Sequence, residues 1–233
     1  MSRLMGWSID STEYSPLVVY EYPSNGTLDS NLRAAKEQKI DFDWYKRLNI
    51  ASEISSLLAF LQYEVSPPIV HQNLMSCCIF LDEEWCPKIC GFDLLNCCNN
   101  NGNSSKSSDV YNLGLVLLEL ISGARYSGFS TIALQKIRSG KLEEIVDPCL
   151  YYHEQPPLRR EEIEIVADIA TRCLLYGGDH GNLGILDVSK DLMHLAKESV
   201  DGSSRRGPGL EETFSNSSLL QMISMSPDSM YVP

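Results

Sequence analysis

Along this chain the apolar positions fall into runs of different period, and each run predicts an element. Leu48, Ile50, Ala51, Ile54, Leu57, Leu58 and Leu61 recur at helical spacing after Trp44, which predicts an amphipathic helix over residues 44–62, ended by "PPIV". Before it, "LMGWSI" and the β-branched and aromatic "PLVVYEY" read as two strands, and "PSNGTL" is turn chemistry at which the hydrophobic run stops. Residues 78–81 and 88–92 read as short strands around the polar turn "DEEW". Residues 96–108 form a low-complexity stretch without an apolar residue outside its cysteines. A helix capped at Ser108-Asp109 then runs through "VYNLGLVLLELI"; it is apolar on most faces, so it belongs in the centre of the fold. Further helices are predicted over 130–138, 160–175 and 187–198. Residues 199–233 are rich in Ser, Gly, Met and Pro without periodicity, and read as a disordered tail. Strands first and helices after give an α+β class, with no internal repeat.

Composition narrows the function classes. A length of 233 residues with 43% hydrophobic and 21% charged residues can bury a real core. A formal net charge of -12 argues against non-specific binding to nucleic acid or to anionic membrane. No secretory signal pattern opens the sequence, and the longest apolar run, 113–121, is interrupted by Glu119 and far shorter than the roughly 20 residues of a membrane span, so a soluble chain is expected. Eight cysteines, with adjacent pairs at Cys77-Cys78 and Cys97-Cys98, fit a reducing compartment better than a disulfide framework. The six cysteines from Cys77 to Cys98 invite a zinc site with Cys86-x3-Cys90 as one half, but zinc sites show tighter paired spacing and strand geometry is expected to spread the six thiols over two faces, so no metal is expected. His153, His180 and His194 have no partner at ligand spacing. Ser24, Ser203, Ser204 and the Ser-Pro of "SMSPDSMYVP" are candidate phosphoacceptors of the kind any exposed serine supplies.

Six pieces, "LVVYEYPSNGTL", "DWYKRLNIASEISSLLAFL", "SPPIVH", "IFLDEEWCPKI", "SSDVYNLGLVLLELISG" and "KLEEIVDPCL", keep a common order and spacing over about residues 5–198. In these the chain resembles the plant receptor-like serine/threonine kinases of the wall-associated and leaf-rust-type branch. The resemblance implies a protein-kinase-like fold, mostly the helical C-lobe. Residues 1–22 would be remnant N-lobe strands, 23–198 the C-lobe with a shortened activation segment, and 199–233 the tail. It also implies which positions would carry the chemistry. The hinge would lie at Tyr20, Glu21 and Pro23. The family's catalytic His-Arg-Asp falls on His71, Gln72 and Asn73, its loop lysine on Met75, and its magnesium-binding asparagine on Cys78. Its Asp-Phe-Gly becomes Gly91, Phe92 and Asp93. No G-x-G-x-x-G is present and no lysine precedes Tyr20.

Those substitutions remove the chemistry rather than the frame. An amide at Asn73 cannot accept a substrate proton as a carboxylate does, and Met75 offers no positive charge to a transferred phosphate. Cys78 is a soft thiol where magnesium needs a hard oxygen. Asp93 could stand in for the lost carboxylate only from about 6 to 7 Å away. Pro23 has no N–H to give to an adenine ring. Gln72 and Asn182 replace the two arginines that the resemblance pairs with the activation segment, while Trp44, Arg47, His71 and Asp109 match the family, in which that aspartate bonds the catalytic-loop backbone. ATP and magnesium belong to the family but are not expected to bind here. The expected function is an inactive receptor-like kinase domain, a pseudokinase acting as a protein-interaction module in signalling. A divergent ATP-binding kinase using Asp93, and a non-functional fragment of a longer receptor, are the alternatives. The expected partner is a protein, such as an active receptor-like kinase, with no nucleic acid and no insertion into membrane. By the same resemblance the location is cytosolic, at the inner face of the plasma membrane. The hairpin bearing Val18 and Tyr20 is expected to need a cover, since an isolated two-stranded hairpin is marginal in water.

Overall fold

In a computed structural model, residues 4–9, 16–91, 107–123, 129–151, 154–177 and 182–204 are described. Two strands, β1 (Leu4–Ile9) and β2 (Pro16–Tyr20), pair antiparallel with Trp7 opposite Val18 and a register shift between Leu4 and Gly6. Helix α1 (Leu28–Lys36) follows, then α2 (Trp44–Tyr63). A second antiparallel pair comprises β3 (Ile79–Leu81) and β4 (Pro87–Ile89). Four helices complete the described chain: α3 (Ser107–Ser122), α4 (Phe129–Arg138), α5 (Pro157–Tyr176) and α6 (Ile185–Ser204). The chain divides into two compact units, residues 1–200 and 201–233, and the second is described only through the backbone of 201–204.

The core forms around α3, as its all-round apolar pattern predicts. Leu113, Val116, Leu117, Leu118, Leu120 and Ile121 are all buried there with Ile54 and Leu58 of α2 and Ile163, Val166 and Ala170 of α5. Helices α3 and α5 approach so closely at Gly114 that an added Cβ would stand 2.7 Å from the Cys173 Cβ. Only a residue without a side chain fits that contact. Trp44, at the start of α2, donates its indole N–H to Glu162 of α5 at 3.1 Å in the buried interior.

A buried ion pair ties three further segments together. Arg47 donates from Nη2 to Asp147 at 2.7 Å, with both side chains fully buried. It also donates to the carbonyls of Phe42 and Leu120, at 2.9 Å each. The Asp147 backbone N–H returns to the Ile121 carbonyl at 2.8 Å, and the other carboxylate oxygen accepts from the Cys149 N–H. A Cβ on Gly123, at φ 66°, would collide with the same carboxylate. Burial pulls the pKa of the Arg47 guanidinium down, and Asp147 acts against that shift. So α2, the end of α3 and the 142–150 segment meet on one charge pair.

The pattern of helices follows the sequence expectation with informative exceptions. Helix α1 was not foreseen because "SNGT" reads as a turn and only Leu28, Leu32 and Ala35 mark its apolar face. A capping box between Thr27 and Ser30 starts it, each side chain accepting from the other residue's backbone N–H at 3.1 Å. Helix α6 runs to Ser204, so residues 199–204, expected in the tail, continue a helix. Ser203 and Ser204 therefore lie in a helical turn. Asp109 was expected to cap α3; it sits inside the first turn instead, and its carboxylate reaches another segment. Phe92, Asp93, the 96–106 stretch, His153, His180 and the tail from 205 lie outside the described residues, as do the side chains of Val18 and Tyr20. Met5 and Val19 of the β1–β2 hairpin are exposed.

Candidate functional site

The segment 71–78 is shaped from below by one carboxylate. Asp109 accepts through Oδ2 from the His71 backbone N–H at 2.8 Å and from Gln62 Nε2 at 3.0 Å, and through Oδ1 from the Gln72 backbone N–H at 2.7 Å. Asn112, one turn along α3, donates to the Gln72 carbonyl at 3.0 Å. Gln72 is held at φ 67°, in the left-handed region. His71 is buried, and its Nε2 lies 2.8 Å from the Cys90 carbonyl. A carbonyl only accepts, so Nε2 carries the proton. Leu74 plugs the core, and a 3₁₀ turn over Ser76–Cys78 feeds the chain into β3.

On this frame the positions expected to carry chemistry are all described except Asp93. Asn73 is exposed, and Met75 and Cys78 are half-buried. Burial, with the neighbouring Cys77 thiol, pushes the Cys78 thiol up to about 11, so at neutral pH it is a protonated sulfur. Gly91, at φ 82°, contributes no side chain, and its would-be Cβ faces the Cys78 sulfur at 3.5 Å. Among the described residues no cluster of three or more His, Cys, Asp or Glu could hold a metal ion. This donor set does not fit magnesium, which takes carboxylate and carbonyl oxygens in octahedral geometry.

The hinge residues fit adenine no better. Pro23 is buried, lacks an N–H, and its carbonyl already accepts from Gly26 N–H at 3.1 Å. The segment after it is stitched to β3: Asn25 N–H donates to the Leu81 carbonyl at 3.0 Å, and Leu81 N–H to the Gly26 carbonyl at 2.8 Å. Asn31 of α1 donates to the Asn25 and Thr27 carbonyls at 2.6 and 2.8 Å. Glu21 and Tyr22 are exposed, and the Tyr22 ring meets Phe80 edge-on at 5.3 Å.

Comparison with known proteins meets this geometry. A family model for protein tyrosine and serine/threonine kinases matches residues 1–105. An Arabidopsis thaliana protein named "Probably inactive receptor-like protein kinase" is 49% identical over 235 residues, covering 100% of this chain and 35% of the relative. The chain belongs to the plant receptor-like protein kinase family. Wall-associated receptor kinase-like 14 of the same plant is 30% identical over 208 residues, 76% of this chain and 29% of its own length. The chain thus spans about a third of the length of these curated relatives. Among solved structures, the pseudokinase domain of BIR2, an immune regulator of the RLK/Pelle family, superposes with a TM-score of 0.71 at 26% identity, over 91% of this chain and 71% of that one. The pseudokinase DRIK1, at 20% identity and a TM-score of 0.65, shows the same fold. The kinase-like α+β fold, dominated by the helical lobe, is thereby shown, and among the described residues no helix is long and apolar enough to cross a membrane.

Several groups that organise this receptor-like kinase chain were not singled out from sequence. Gln62 stands amid the apolar stripe of α2, and a polar residue at a core-facing position was the signal available. Asp147 sits before Pro148 and caps the 3₁₀ turn Pro148–Leu150. Cys86, Lys88 and Cys90 are half-buried on the outward side of β4 while Pro87 and Ile89 are buried, so the thiols share one face. Four residues of strand hold Cys86 and Cys90 about 13 Å apart, too far for one zinc ion. His194 is exposed and pairs with Glu198 one turn on at 3.3 Å. Asn182 is exposed, so the position of the family arginine has no buried charge to satisfy.

A second corner, where α2 backs onto β3 and β4, holds Glu53. Burial pushes its carboxyl up to about 7; the Asp82 carboxylate adds to the shift and Lys88 opposes it. Lys88 is itself bridged to Asp82 at 3.1 Å. A carboxyl raised in the folded state gives stability that is fully present below its unfolded pKa and lost as pH rises through the folded one. Between pH 5 and 8 the protein is therefore expected to lose about 1 to 2 kcal/mol from this group, the linkage value discounted for partial solvation. Urea unfolding at both pH values should show Glu53→Gln losing that much less than wild type. Equal losses in the two proteins would show that Glu53 ionises as freely folded as unfolded.

Proposed function

We propose that this chain is a pseudokinase domain, a protein-interaction module that keeps the kinase frame and performs no phosphoryl transfer. The carrying observation is the contrast around Asp109. Its carboxylate holds the His71–Gln72 backbone in place, while the positions that would act on a substrate present Asn73, Met75, Cys78 and Gly91. Phosphoryl transfer depends on positioning and on charge stabilisation, and these side chains supply neither base, cation nor hard metal ligand. Neither ATP nor magnesium is a cofactor of this site. The pseudokinase relatives support this reading. The partner class is a protein, with an active receptor-like kinase at the cytosolic face of the plasma membrane as the specific candidate, and the exposed Met5 and Val19 of the hairpin suit a protein cover.

A thermal-shift titration tests the site directly. A ligand that binds only the folded state at about 10 μM would, at about 1 mM, raise stability by about 2.7 kcal/mol. That corresponds to about 5 to 10 °C for a domain of this size. ATP with magnesium or manganese is expected to move the midpoint by less than about 1 °C. A clear shift at sub-millimolar nucleotide, or phosphate transfer abolished by Asp93→Ala, would overturn the proposal in favour of a divergent kinase.

A further inference from the structure

We infer that Cys78 and Cys90 form a reversible disulfide modification site closing the open end of the β3–β4 hairpin. The argument starts from register and is independent of whether the domain binds nucleotide. Ile79 lies opposite Ile89, Phe80 opposite Lys88 and Leu81 opposite Pro87. One step beyond the strand ends, Cys78 therefore faces Cys90, and the Cys90 N–H donates to the Cys78 carbonyl at 2.9 Å. At the other end the Asp82 N–H donates to the Cys86 carbonyl at 3.1 Å. Of the two bonds that a hydrogen-bonded antiparallel pair exchanges, this pair makes the one from Cys90, while the Cys78 N–H turns back to the Met75 carbonyl at 2.9 Å; such a pair has its Cα atoms about 5.5 Å apart. That separation falls inside the window of about 4.4 to 6.8 Å that a disulfide spans.

Facing agrees with spacing. Ile79, Leu81, Pro87 and Ile89 are buried beneath the hairpin, so Cys78, Phe80, Lys88 and Cys90 share its half-exposed outer side. The Cys78 sulfur lies 3.5 Å from where a Cβ on Gly91, the residue after Cys90, would stand. Cys77 is a third thiol of this corner, exposed on the 3₁₀ turn, and its hydrogen bond to Cys78 places it within reach as well. Bonding Cys77 to Cys78 would close a ring between adjacent residues, whereas Cys78 and Cys90 already face each other across a ladder. Cys86, the outward thiol at the turn end of β4, is about 13 Å from Cys90 and takes no part.

The chemistry is thiol–disulfide exchange with a small disulfide such as oxidised glutathione. One thiolate, after giving its proton to solvent, attacks a glutathione sulfur. A protein–glutathione bond forms, the glutathione S–S bond breaks, and one glutathione leaves as thiolate and takes up a proton. The second cysteine thiolate attacks the protein-bound sulfur, forms the Cys78–Cys90 bond and releases the second glutathione. Two protein thiols are oxidised and one disulfide is reduced to two thiols. Burial raises both thiols above their ordinary range, Cys78 to about 11, so exchange is slow at neutral pH and speeds up as pH rises. The closed form would lock the segment ahead of β3 to the residue whose carbonyl accepts from His71, stiffening the corner that Asp109 supports.

The test uses the full chain, incubated with oxidised glutathione, blocked with an alkylating agent and cut with trypsin. Cleavage after Lys88 separates Cys78 from Cys90, so fragmentation of the cross-linked peptides assigns the pairing. The Cys78–Cys90 link is expected to dominate, to be lost in Cys90→Ser, to persist in Cys86→Ser and to revert with reduced glutathione. Oxidation in guanidinium should scatter the pairing over the other cysteines, because the preference comes from the folded register. A native protein in which Cys90 remains alkylatable, or is linked instead to Cys77, Cys97 or Cys98, would overturn the assignment, and that wild-type readout stands even if a serine variant fails to fold.

Discussion

Replacing Asp147 by alanine is expected to lower the free energy of unfolding by about 3 to 5 kcal/mol, because it leaves the Arg47 guanidinium fully buried without its counter-charge. Two carbonyls, of Phe42 and Leu120, would still accept from Arg47, but neither carries the charge that offsets its desolvation. The backbone turn over Pro148–Leu150 would lose its cap at the same time. For a domain of this size the midpoint should fall by about 10 °C or more. Pairing Asp147→Ala with Arg47→Met should recover much of the loss, since a buried pair removed together costs less than one partner removed alone. Chemical denaturation of the single and double variants checks both statements. A double variant no more stable than Asp147→Ala would mean that the segments are joined by packing rather than by the charge pair.

Asp109→Ala is the second large effect, with an expected loss of about 3 to 5 kcal/mol, reached by leaving the backbone donors of His71 and Gln72 and the Gln62 amide without an acceptor. Hydrogen bonds to a charged group contribute about 1.5 to 3 kcal/mol each, and the three act through one side chain, so the sum is less than additive. The loss should be local first. Amide exchange at His71 and Gln72 should rise well before the core of α3 loosens, because Asp109 accepts from both of these N–H groups directly. Asp109→Asn, which keeps one acceptor, should fall between the wild type and alanine. If Asp109→Ala left both amides protected and stability within about 1 kcal/mol of wild type, the carboxylate would not be the latch of this loop.

Both effects fall on residues whose value lies in the frame. On the proposed reading that is the physical content of a pseudokinase: substitution would have reached the positions meant for a substrate, at Asn73, Met75, Cys78 and Gly91, while the carboxylates that hold the frame remain. The latter keep their energetic value without nucleotide. A buried Asp109 or Asp147 is needed in every folded molecule, since the N–H groups and guanidinium it serves would otherwise be buried unpaired.

What could be read from sequence and what could not divide along the same physical line. The long periodic runs of α2 and α3, the two hairpins and the family resemblance were legible because they rest on spacing within short windows. The same resemblance carries the expectation that Asn73, Met75 and Cys78 supply neither base, cation nor metal ligand, on which the proposed function rests. Helix α1 was not legible, because a capping box and three apolar residues are a weaker signal than the turn residues beside them. The continuation of α6 past residue 198 was hidden by polar composition alone. The bond from Asp109 to the loop at His71 was implied by the resemblance, although local pattern alone showed only a helix start; Asp147 looked like an ordinary residue before proline, because its partner Arg47 lies 100 positions away in the chain. The facing of Cys78 and Cys90 likewise needed the ladder, since two residues' slip in register would place either thiol beside a different neighbour. By itself the sequence determined most of the elements and the family, both of which are carried by residue identity and local period. Only the tertiary structure decided that Arg47 and Asp147 pair in the interior and that Cys78 stands opposite Cys90 in the ladder, because burial and long-range pairing are properties of the packed chain.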